Sequence, residues 1–189
     1  MHLRSSLLTF AFTTALLIRG SMSSSSRSGT FSFGPHICKS SQAFYETPLS
    51  ICFVNIKPIV PGHVLVIPKR VCPRFADLSV EEVTDLWTTV HKLCPVLERH
   101  YGCEALNLAI QDGRASGQSV PHVHVHMLPR KPDDFKRNDD IYEELESQAL
   151  DKAFDPHEER RRTEESMTEE AMELRALFVA GVPLGRSSL

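Results

Sequence analysis

The sequence predicts an α+β domain in which an antiparallel sheet packs against one long helix, with a further helix near the C-terminus. Three stretches predict this class. In residues 121–129, histidines alternate with apolar residues, which is the two-residue period of a strand. Residues 50–67 hold two apolar runs separated by a turn with two prolines and a glycine, the pattern of a hairpin. Residues 79–97 place apolar side chains at helical spacing behind a capping box.

The length of 189 residues suits one domain with tails, large enough to bury a core without disulfides. We predict a targeting segment or disordered tail at residues 1–30, a domain at 31–150, and a charged segment with a helix at 151–189. The net charge of −3 argues against bulk nucleic-acid binding. The five cysteines are odd in number and contain no C-x-x-C pair, which favours reduced thiols in an intracellular protein over disulfides or a zinc site.

Residues 1–30 contain arginine and many serines but no Asp or Glu, and residues 7–18 form an apolar run too short to span a bilayer comfortably. A mitochondrial or plastid transit peptide fits this composition. A secretory signal also fits, although the odd free cysteines weigh against secretion. Translation from Met22 would instead leave a short serine-rich tail. We expect an intracellular protein, cytoplasmic by default, without stable membrane insertion.

Strands are predicted at residues 31–37, 50–56, 63–67 and 104–110. The first leads into His36, and the last precedes a glycine-rich loop. The second and third form the hairpin, whose returning strand is stopped by Pro68. Because adjacent antiparallel strands share one sheet, we expect Asn55, His63 and the histidine strand to lie on the same sheet.

The long helix begins at a capping box in which Ser79 caps and Glu82 reaches back. Pro95 is expected to kink or shorten this helix near residues 92–94, and Gly102 fits its end. The apolar stripe that packs on the sheet consists of Leu86, Val90, Leu93 and Leu97. Two shorter helices are predicted at residues 141–148 and 168–179, the latter docking on the domain.

Three titratable rings lie on one predicted face of the histidine strand, spaced about 6.5–7 Å apart. They belong to His122, His124 and His126. The opposite face, which can enter a core, carries Val123, Val125 and Met127. Pro121 and Pro129 bracket the run, because proline cannot donate within a strand ladder.

Three interpretations of these rings compete. A half-exposed strand with histidine at its polar positions is the plainest. A metal site is the second, because two histidines at i and i+2 on a strand can chelate one ion. Nucleophilic catalysis is the third, since a neutral imidazole can attack phosphorus and leave again once its other nitrogen is protonated. The histidines alone do not decide between the last two.

The loop at residues 111–120 favours phosphoryl chemistry. Gly113 and Gly117 permit the backbone to turn successive N–H groups inward around an anion. Neutral donors are supplied by Gln111, Gln118 and Ser119. The Gly-Lys-Ser/Thr ending of a Walker loop is missing. Asp112 is the nearest carboxylate in sequence, and this scarcity of acids weakens the case for a metal centre.

The combined motif resembles the histidine triad (HIT) family of nucleotide hydrolases and transferases. The motif is Gln111-Asp112-Gly113, then Gly117-Gln118-Ser119-Val120, then His-x-His-x-His. The continuation at residues 128–131, 137–139 and 141–145 is similar to the Fhit branch, the dinucleoside triphosphate hydrolases. The resemblance covers residues 31–146. It implies a HIT-like fold and a homodimer that forms through the sheet and helix region.

The resemblance also implies a reaction, the hydrolysis of diadenosine triphosphate to AMP and ADP through an adenylyl-histidine at His124. Independently of the resemblance, only the central ring has a histidine on both sides. We expect His122 and His126 to hydrogen-bond phosphate oxygens, one of them protonating the leaving group or holding a water. Adenylyl sulfate or a phosphoramidate could discharge through the same intermediate. A nucleotide-loaded signalling module and a metal enzyme stay open as other classes.

The nucleotide site follows from the same resemblance. Asn55 matches a residue that binds ribose hydroxyls. The adenine would be clasped by Phe33, Phe53 and Leu65, with His36 and His63 nearby. Charge on the phosphate would be taken up by Gln111 and by the backbone of Gly117, Gln118, Ser119 and Val120. We expect Mg²⁺ or Mn²⁺ to arrive with the nucleotide phosphates and no metal site in the protein.

Overall fold

The computed structural model describes residues 28–149 and 158–179. Its strands are β1 (Thr30–Phe33), β2 (His36–Lys39), β3 (Ala43–Glu46), β4 (Ser50–Val54), β5 (Val64–Pro68), β6 (Ala105–Ala109) and β7 (Val125–Arg130). Its helices are α1 (Val80–Tyr101), α2 (Asp140–Ala149) and α3 (Glu164–Val179). Strands β1 and β2 form a hairpin, and the other five form an antiparallel sheet in the order β3-β4-β5-β7-β6. This is the predicted α+β class.

The two faces of the large sheet are covered by different elements. On one face, α1 and α3 bury apolar residues of the central strands and of the segment that leads into β7, including Val123, Val125 and Met127. On the other face, Phe31 and Phe33 of the β1–β2 hairpin pack against Phe53. Because successive strand residues point to opposite faces, this alternation separates the helix side from the hairpin side.

Helix α1 confirms the predicted capping box and the predicted end. The Ser79 hydroxyl accepts from the Glu82 N–H at 3.2 Å, and Glu82 accepts from the Ser79 N–H at 2.9 Å. Gly102 adopts the left-handed conformation with φ of 57°. The expected shortening at Pro95 is wrong, because the helix continues to Tyr101. Burial of its apolar stripe on both sides of the proline offsets the one backbone hydrogen bond that proline removes.

The β4–β5 hairpin is confirmed, with register from Ser50 opposite Pro68 to Val54 opposite Val64. Asn55 and His63 flank its turn, and the Asn55 N–H donates to the His63 carbonyl at 3.1 Å. Strand β5 pairs in turn with β7. The sheet therefore brings the turn and the histidine strand together, as expected.

Strand β7 begins and ends later than the bracketing prolines predict. It starts at Val125, so His122 and His124 lie in the segment leading into the strand. Pro129 lies inside it, opposite Leu106 on β6 and beyond the last β5 pair, which joins Val64 to Met127. At that position its missing N–H leaves no β5 partner unsatisfied, so the prediction that Pro129 stops the strand is wrong.

The C-terminal helix α3 docks on the domain, as expected, against β3 and residues 40–42. Its buried residues are Met167, Ala171 and Leu174. Helix α2 occupies the predicted position. Our predictions for residues 1–27, 150–157 and 180–189 lie outside the described residues. No helix within residues 28–149 and 158–179 combines the length and apolar character needed to cross a bilayer.

Candidate active site

The three triad histidines lie on the hairpin side of the sheet. The ring of Phe33 lies 5.8 Å from that of His122 and 5.2 Å from that of His124, measured between centroids. The rings of His124 and His126 are 4.8 Å apart. All three imidazoles are nearly enclosed, with at most 6% of each residue exposed. The shared face expected from the alternation is therefore present.

His122 has both ring nitrogens occupied by the protein. Its Nδ1 accepts a hydrogen bond from the Gly34 N–H at 3.0 Å. Its Nε2–H donates to the Pro68 carbonyl at 2.9 Å. The expected hydrogen bond from this ring to a phosphate oxygen has no nitrogen left to make it. In this structure His122 instead anchors the start of the histidine segment to β5 and to the hairpin.

His124 has one nitrogen fixed and the other available. Its Nδ1–H donates to the His122 carbonyl at 2.7 Å, which fixes the neutral tautomer with the lone pair on Nε2. No described residue forms a hydrogen bond with this Nε2. Burial lowers the pKa of His124, so the ring is held in the unprotonated form that a nucleophile requires.

His63 and His126 form a hydrogen-bonded pair at 2.9 Å between His63 Nε2 and His126 Nδ1. The Ile59 N–H donates to His63 Nδ1 at 3.2 Å, so the proton of His63 resides on Nε2. His63 therefore donates to His126, whose own proton must reside on Nε2. That Nε2 is buried without a hydrogen-bond partner among the described residues. The pair thus presents an unused donor beside His124.

Burial controls the charge of this pair. It lowers the pKa of His63 to about 3, with a further contribution from His124. It lowers the pKa of His126 well below the ordinary value, and His63 and His124 add to the effect. Both rings are therefore neutral at physiological pH, and His63 is a structural partner of the triad rather than an acid.

The glycine-rich loop is held mainly by its own side chains. Gln118 Oε1 accepts from the Gly113 N–H at 3.0 Å, and Gln118 Nε2 donates to the carbonyls of Pro73 at 2.9 Å and His122 at 3.3 Å. The expected role of the Gln118 amide as a phosphate donor therefore gives way to an internal role. Asp112, which sequence reasoning treated only as a nearby acid, binds Arg74 and the Phe75 N–H and anchors the loop.

Two backbone donors of the loop remain available. The N–H groups of Gly117 and Gln118 already donate to Arg114 and Gly113. Those of Ser119 and Val120 meet no acceptor among the described residues. Fewer N–H groups of the loop are therefore available to an anion than expected, and these two lie directly before the triad. Gln111 donates to the Leu145 carbonyl at 3.5 Å, a weak contact.

The other predicted nucleotide contacts lie on the β1–β2 hairpin and on the β4–β5 hairpin. Asn55 is buried; its Nδ2 donates to the Lys57 carbonyl at 3.2 Å and lies 3.1 Å from His63 Nδ1. Phe53 and Leu65 are buried in the cluster that Phe33 covers. His36 is exposed at the start of β2, and its ring contacts none of the triad rings. The structure thus brings Asn55 and the apolar residues towards the site but leaves His36 outside it.

Gly34 and Pro68 are site residues that sequence reasoning missed. Gly34 has φ of 56°, and a Cβ built on it would lie 2.7 Å from Val120 Cγ1. Its small size therefore allows the hairpin to approach the triad closely. The Gly-Pro turn was visible in the sequence, but nothing local indicates its partner 88 residues away. Within the part of the chain described, no cluster of three or more His, Cys, Asp or Glu is arranged to hold a metal ion.

The chain matches one protein family and several known proteins in sequence. Residues 38–133, about half of the chain, match the HIT domain family. The bifunctional bis(5'-adenosyl)-triphosphatase/adenylylsulfatase FHIT of Arabidopsis thaliana is 44% identical over 164 residues, covering 85% of this chain and 91% of that protein. The bis(5'-adenosyl)-triphosphatase of Dictyostelium discoideum is 46% identical over 146 residues, covering 77% and 91%.

Two solved structures are also similar. The Plasmodium falciparum diadenosine triphosphate hydrolase has a TM-score of 0.66 at 28% identity, covering 82% of this chain and 88% of that one. The Caenorhabditis elegans NitFhit protein has a TM-score of 0.65 at 38% identity, covering 81% of this chain and 31% of that longer one. Together with the triad geometry and the sequence matches, these findings show that the chain belongs to the histidine triad family.

Proposed function

We propose that this protein hydrolyses diadenosine triphosphate to AMP and ADP through a covalent adenylyl-histidine at His124. The observation that carries the proposal is the fixed tautomer of this ring. Its Nδ1–H is held by the His122 carbonyl, so its Nε2 lone pair is the nucleophile. The Arabidopsis and Dictyostelium relatives, both named as triphosphatases of this substrate, support the choice of substrate.

In the first step, His124 Nε2 attacks the α-phosphorus, and the bond from that phosphorus to the bridging oxygen breaks. The electron pair leaves with the oxygen of ADP. As the N–P bond forms, the ring acquires positive charge, which the bond from Nδ1–H to the His122 carbonyl stabilises. In the second step, water attacks the same phosphorus, the N–P bond breaks, and AMP leaves with the oxygen of water. The protons released pass to solvent, and His124 returns to its neutral form.

Charge that develops on the non-bridging oxygens is met by donors that are already in place. The Ser119 and Val120 N–H groups and the buried His126 Nε2–H have no other described partner. Preorganised donors of this kind usually supply the largest single contribution to such catalysis. Gln111 adds a further donor when its amide exchanges the weak contact with the Leu145 carbonyl for a phosphate oxygen.

The nucleoside is bound where the β1–β2 hairpin covers the large sheet. The adenine lies against the apolar residues Phe33, Phe53 and Leu65, and the Asn55 carbonyl oxygen accepts from the ribose hydroxyls. Mg²⁺ or Mn²⁺ would arrive with the substrate and would offset the negative charge of its phosphates.

Two further properties, a homodimer and an intracellular location, are part of the proposal. Strand β6 is an edge strand with Leu108 42% exposed, a surface that suits a homodimer of two sheets. All five cysteines are free, which suits a reducing intracellular compartment. Sedimentation of the purified protein tests the first property. Fractionation of cells that express the full chain with a C-terminal tag tests the second.

A second activity, hydrolysis of adenylyl sulfate, is favoured by the name of the Arabidopsis relative. The same adenylyl-histidine would form, with sulfate as the leaving group. Turnover of diadenosine triphosphate, adenylyl sulfate and an adenosine phosphoramidate by one preparation ranks the three leaving groups.

Mass spectrometry of enzyme quenched during turnover tests the mechanism. The expected result is an AMP adduct on the peptide that contains residues 120–128, absent from His124→Asn. An adduct on another peptide overturns the assignment of the nucleophile. Steady turnover with no adduct at any quench time, including after rapid mixing, overturns the covalent route.

A further inference from the structure

A polar network joins helix α3 to the end of helix α1. The Tyr101 hydroxyl, on the last residue of α1, donates to Glu170 Oε1 at 2.6 Å. The other oxygen of Glu170 forms an ion pair with Arg162, whose side chain also donates to the Ser166 carbonyl at 2.7 Å. The side chains of Arg162 and Glu170 are only 17% and 16% exposed. This pair is therefore screened less by solvent than an ion pair on the surface.

The network contacts the β4–β5 turn at both of its ends. The Arg162 N–H donates to the carbonyl of Ile56 at 2.9 Å, and Ile56 directly follows Asn55. The ring of Tyr101 packs on Gly62, where an added Cβ would lie 2.5 Å from Tyr101 Cε2. Gly62 directly precedes His63. The turn is thus supported by a residue before α3 and by a ring that α3 holds in place.

The position of the Asn55 side chain depends on this turn. Its Nδ2 donates to the Lys57 carbonyl within the turn, so a shift of the turn backbone moves the amide with it. The His124 ring is held outside this turn, by its hydrogen bond to the His122 carbonyl. Loosening the turn should therefore change the Asn55 amide without changing the His124 nucleophile.

We propose that Glu170 is a positioning residue for nucleotide binding, acting through Arg162 and Tyr101 on the turn that carries Asn55. The proposal rests on the proposed function, in which Asn55 binds the ribose. Glu170 touches no substrate. Its main effect belongs on the affinity for nucleotide, with a smaller effect on kcat because Ile59 of the same turn holds His63; a general loss of folded protein would lower kcat and leave the affinity unchanged.

The test compares Glu170→Ala, Glu170→Gln and Tyr101→Phe with a matched control, Glu169→Gln, which removes a charge from the exposed side of the same helix. For Glu170→Ala, we expect KM for diadenosine triphosphate to rise about tenfold, the scale of one lost charge-assisted hydrogen bond, with a smaller fall in kcat because Ile59 of the same turn holds His63. Glu170→Gln and Tyr101→Phe should be intermediate, because each keeps part of the network. The control should match the unaltered protein.

Two measurements do not depend on turnover. Calorimetry should show AMP binding weakened by about the same tenfold factor in Glu170→Ala. Amide hydrogen exchange should be faster at Asn55 and His63, whose N–H groups bond within the turn at 3.1 Å. Unchanged KM, AMP affinity and exchange in a folded Glu170→Ala overturn the proposal. A fall in kcat alone, in proportion to the folded fraction, overturns it as well.

These measurements separate this proposal from the proposed function. If the unaltered protein fails to hydrolyse diadenosine triphosphate, the proposed function fails, and AMP affinity with exchange still decides the role of Glu170. If the unaltered protein is active and the variants bind AMP normally, only the role of Glu170 fails.

Discussion

His63 Nε2 lies 2.9 Å from His126 Nδ1, and this contact determines which nitrogen of His126 carries a proton. The Ile59 N–H donates to His63 Nδ1, so His63 can donate only through Nε2. His126 is thereby left with Nε2–H as a buried donor beside the nucleophile. A residue outside the triad motif therefore sets the protonation of a residue inside it.

Replacement of His63 should affect catalysis more than binding. In His63→Phe, nothing fixes the His126 tautomer, so its donor to the phosphate oxygens is lost for part of the time. We expect kcat to fall by about a hundredfold, the scale for removing one preorganised donor, with KM changed much less. Steady-state kinetics on protein shown to be folded by circular dichroism checks this. His91→Asn, on the exposed side of α1, is the control, and a kcat within twofold of that control would contradict the prediction.

The free energy of unfolding should fall with acid in a window set by buried histidines. His63 titrates at about 3 in the folded protein and at 6.5 in the unfolded chain, so below pH 6.5 the unfolded chain binds more protons. Stability from His63 is therefore complete above pH 6.5 and decreases as the pH falls from 6.5 towards about 3, by up to about 1.4 kcal/mol per pH unit for each such histidine. Urea unfolding at pH 8, 6 and 5 measures the slope. His63→Phe should reduce it, and a slope equal in both proteins would refute the assignment.

Gly34 should be required for the site as well as for stability, and Gly102 provides a matched comparison. Both have nearly the same φ, 56° and 57°, but a Cβ on Gly102 meets nothing within 4 Å. Alanine at either position should cost about 1–2 kcal/mol for left-handed backbone. Only Gly34→Ala should also displace Val120 and weaken the bond to His122, lowering kcat. Chemical unfolding and kinetics on both variants separate the effects, and equal kcat values would exclude this role for the hairpin.

The internal role of Gln118 makes Gln118→Glu informative. The carboxylate keeps an acceptor for the Gly113 N–H but cannot donate to the carbonyls of Pro73 and His122. Loss of these bonds should displace the loop that presents the Ser119 and Val120 N–H groups. We expect kcat/KM to fall at least tenfold, because the loop loses two of the hydrogen bonds that hold it in place. Arg114→Gln, exposed in the same loop, serves as the control. Activity retained by Gln118→Glu would show that the loop does not need this anchor.

Elements encoded by local patterns were predicted well. The capping box of Ser79 and Glu82, the end of α1 at Gly102, and the β4–β5 hairpin each depend on residues a few positions apart. The predicted shortening of α1 at Pro95 and the predicted stop of the strand at Pro129 were wrong for a common reason. Each proline removes a backbone donor, but the fold decides the effect. Burial of the neighbouring apolar residues keeps α1 intact at Pro95, and Pro129 lies beyond the last residue of β7 that pairs with β5.

The two-residue alternation determined, by itself, that three imidazoles share one face, because side-chain direction along an extended chain is a local property. Only the tertiary structure decided what each ring does. His122 is fixed by Gly34 and Pro68, which lie 88 and 54 residues away in sequence, and His126 by His63, 63 residues away. His124 keeps its free nitrogen because the neighbouring His122 carbonyl binds its other one. Spacing places a ring, whereas the donors and acceptors that long-range packing brings to it choose its tautomer and therefore its chemistry.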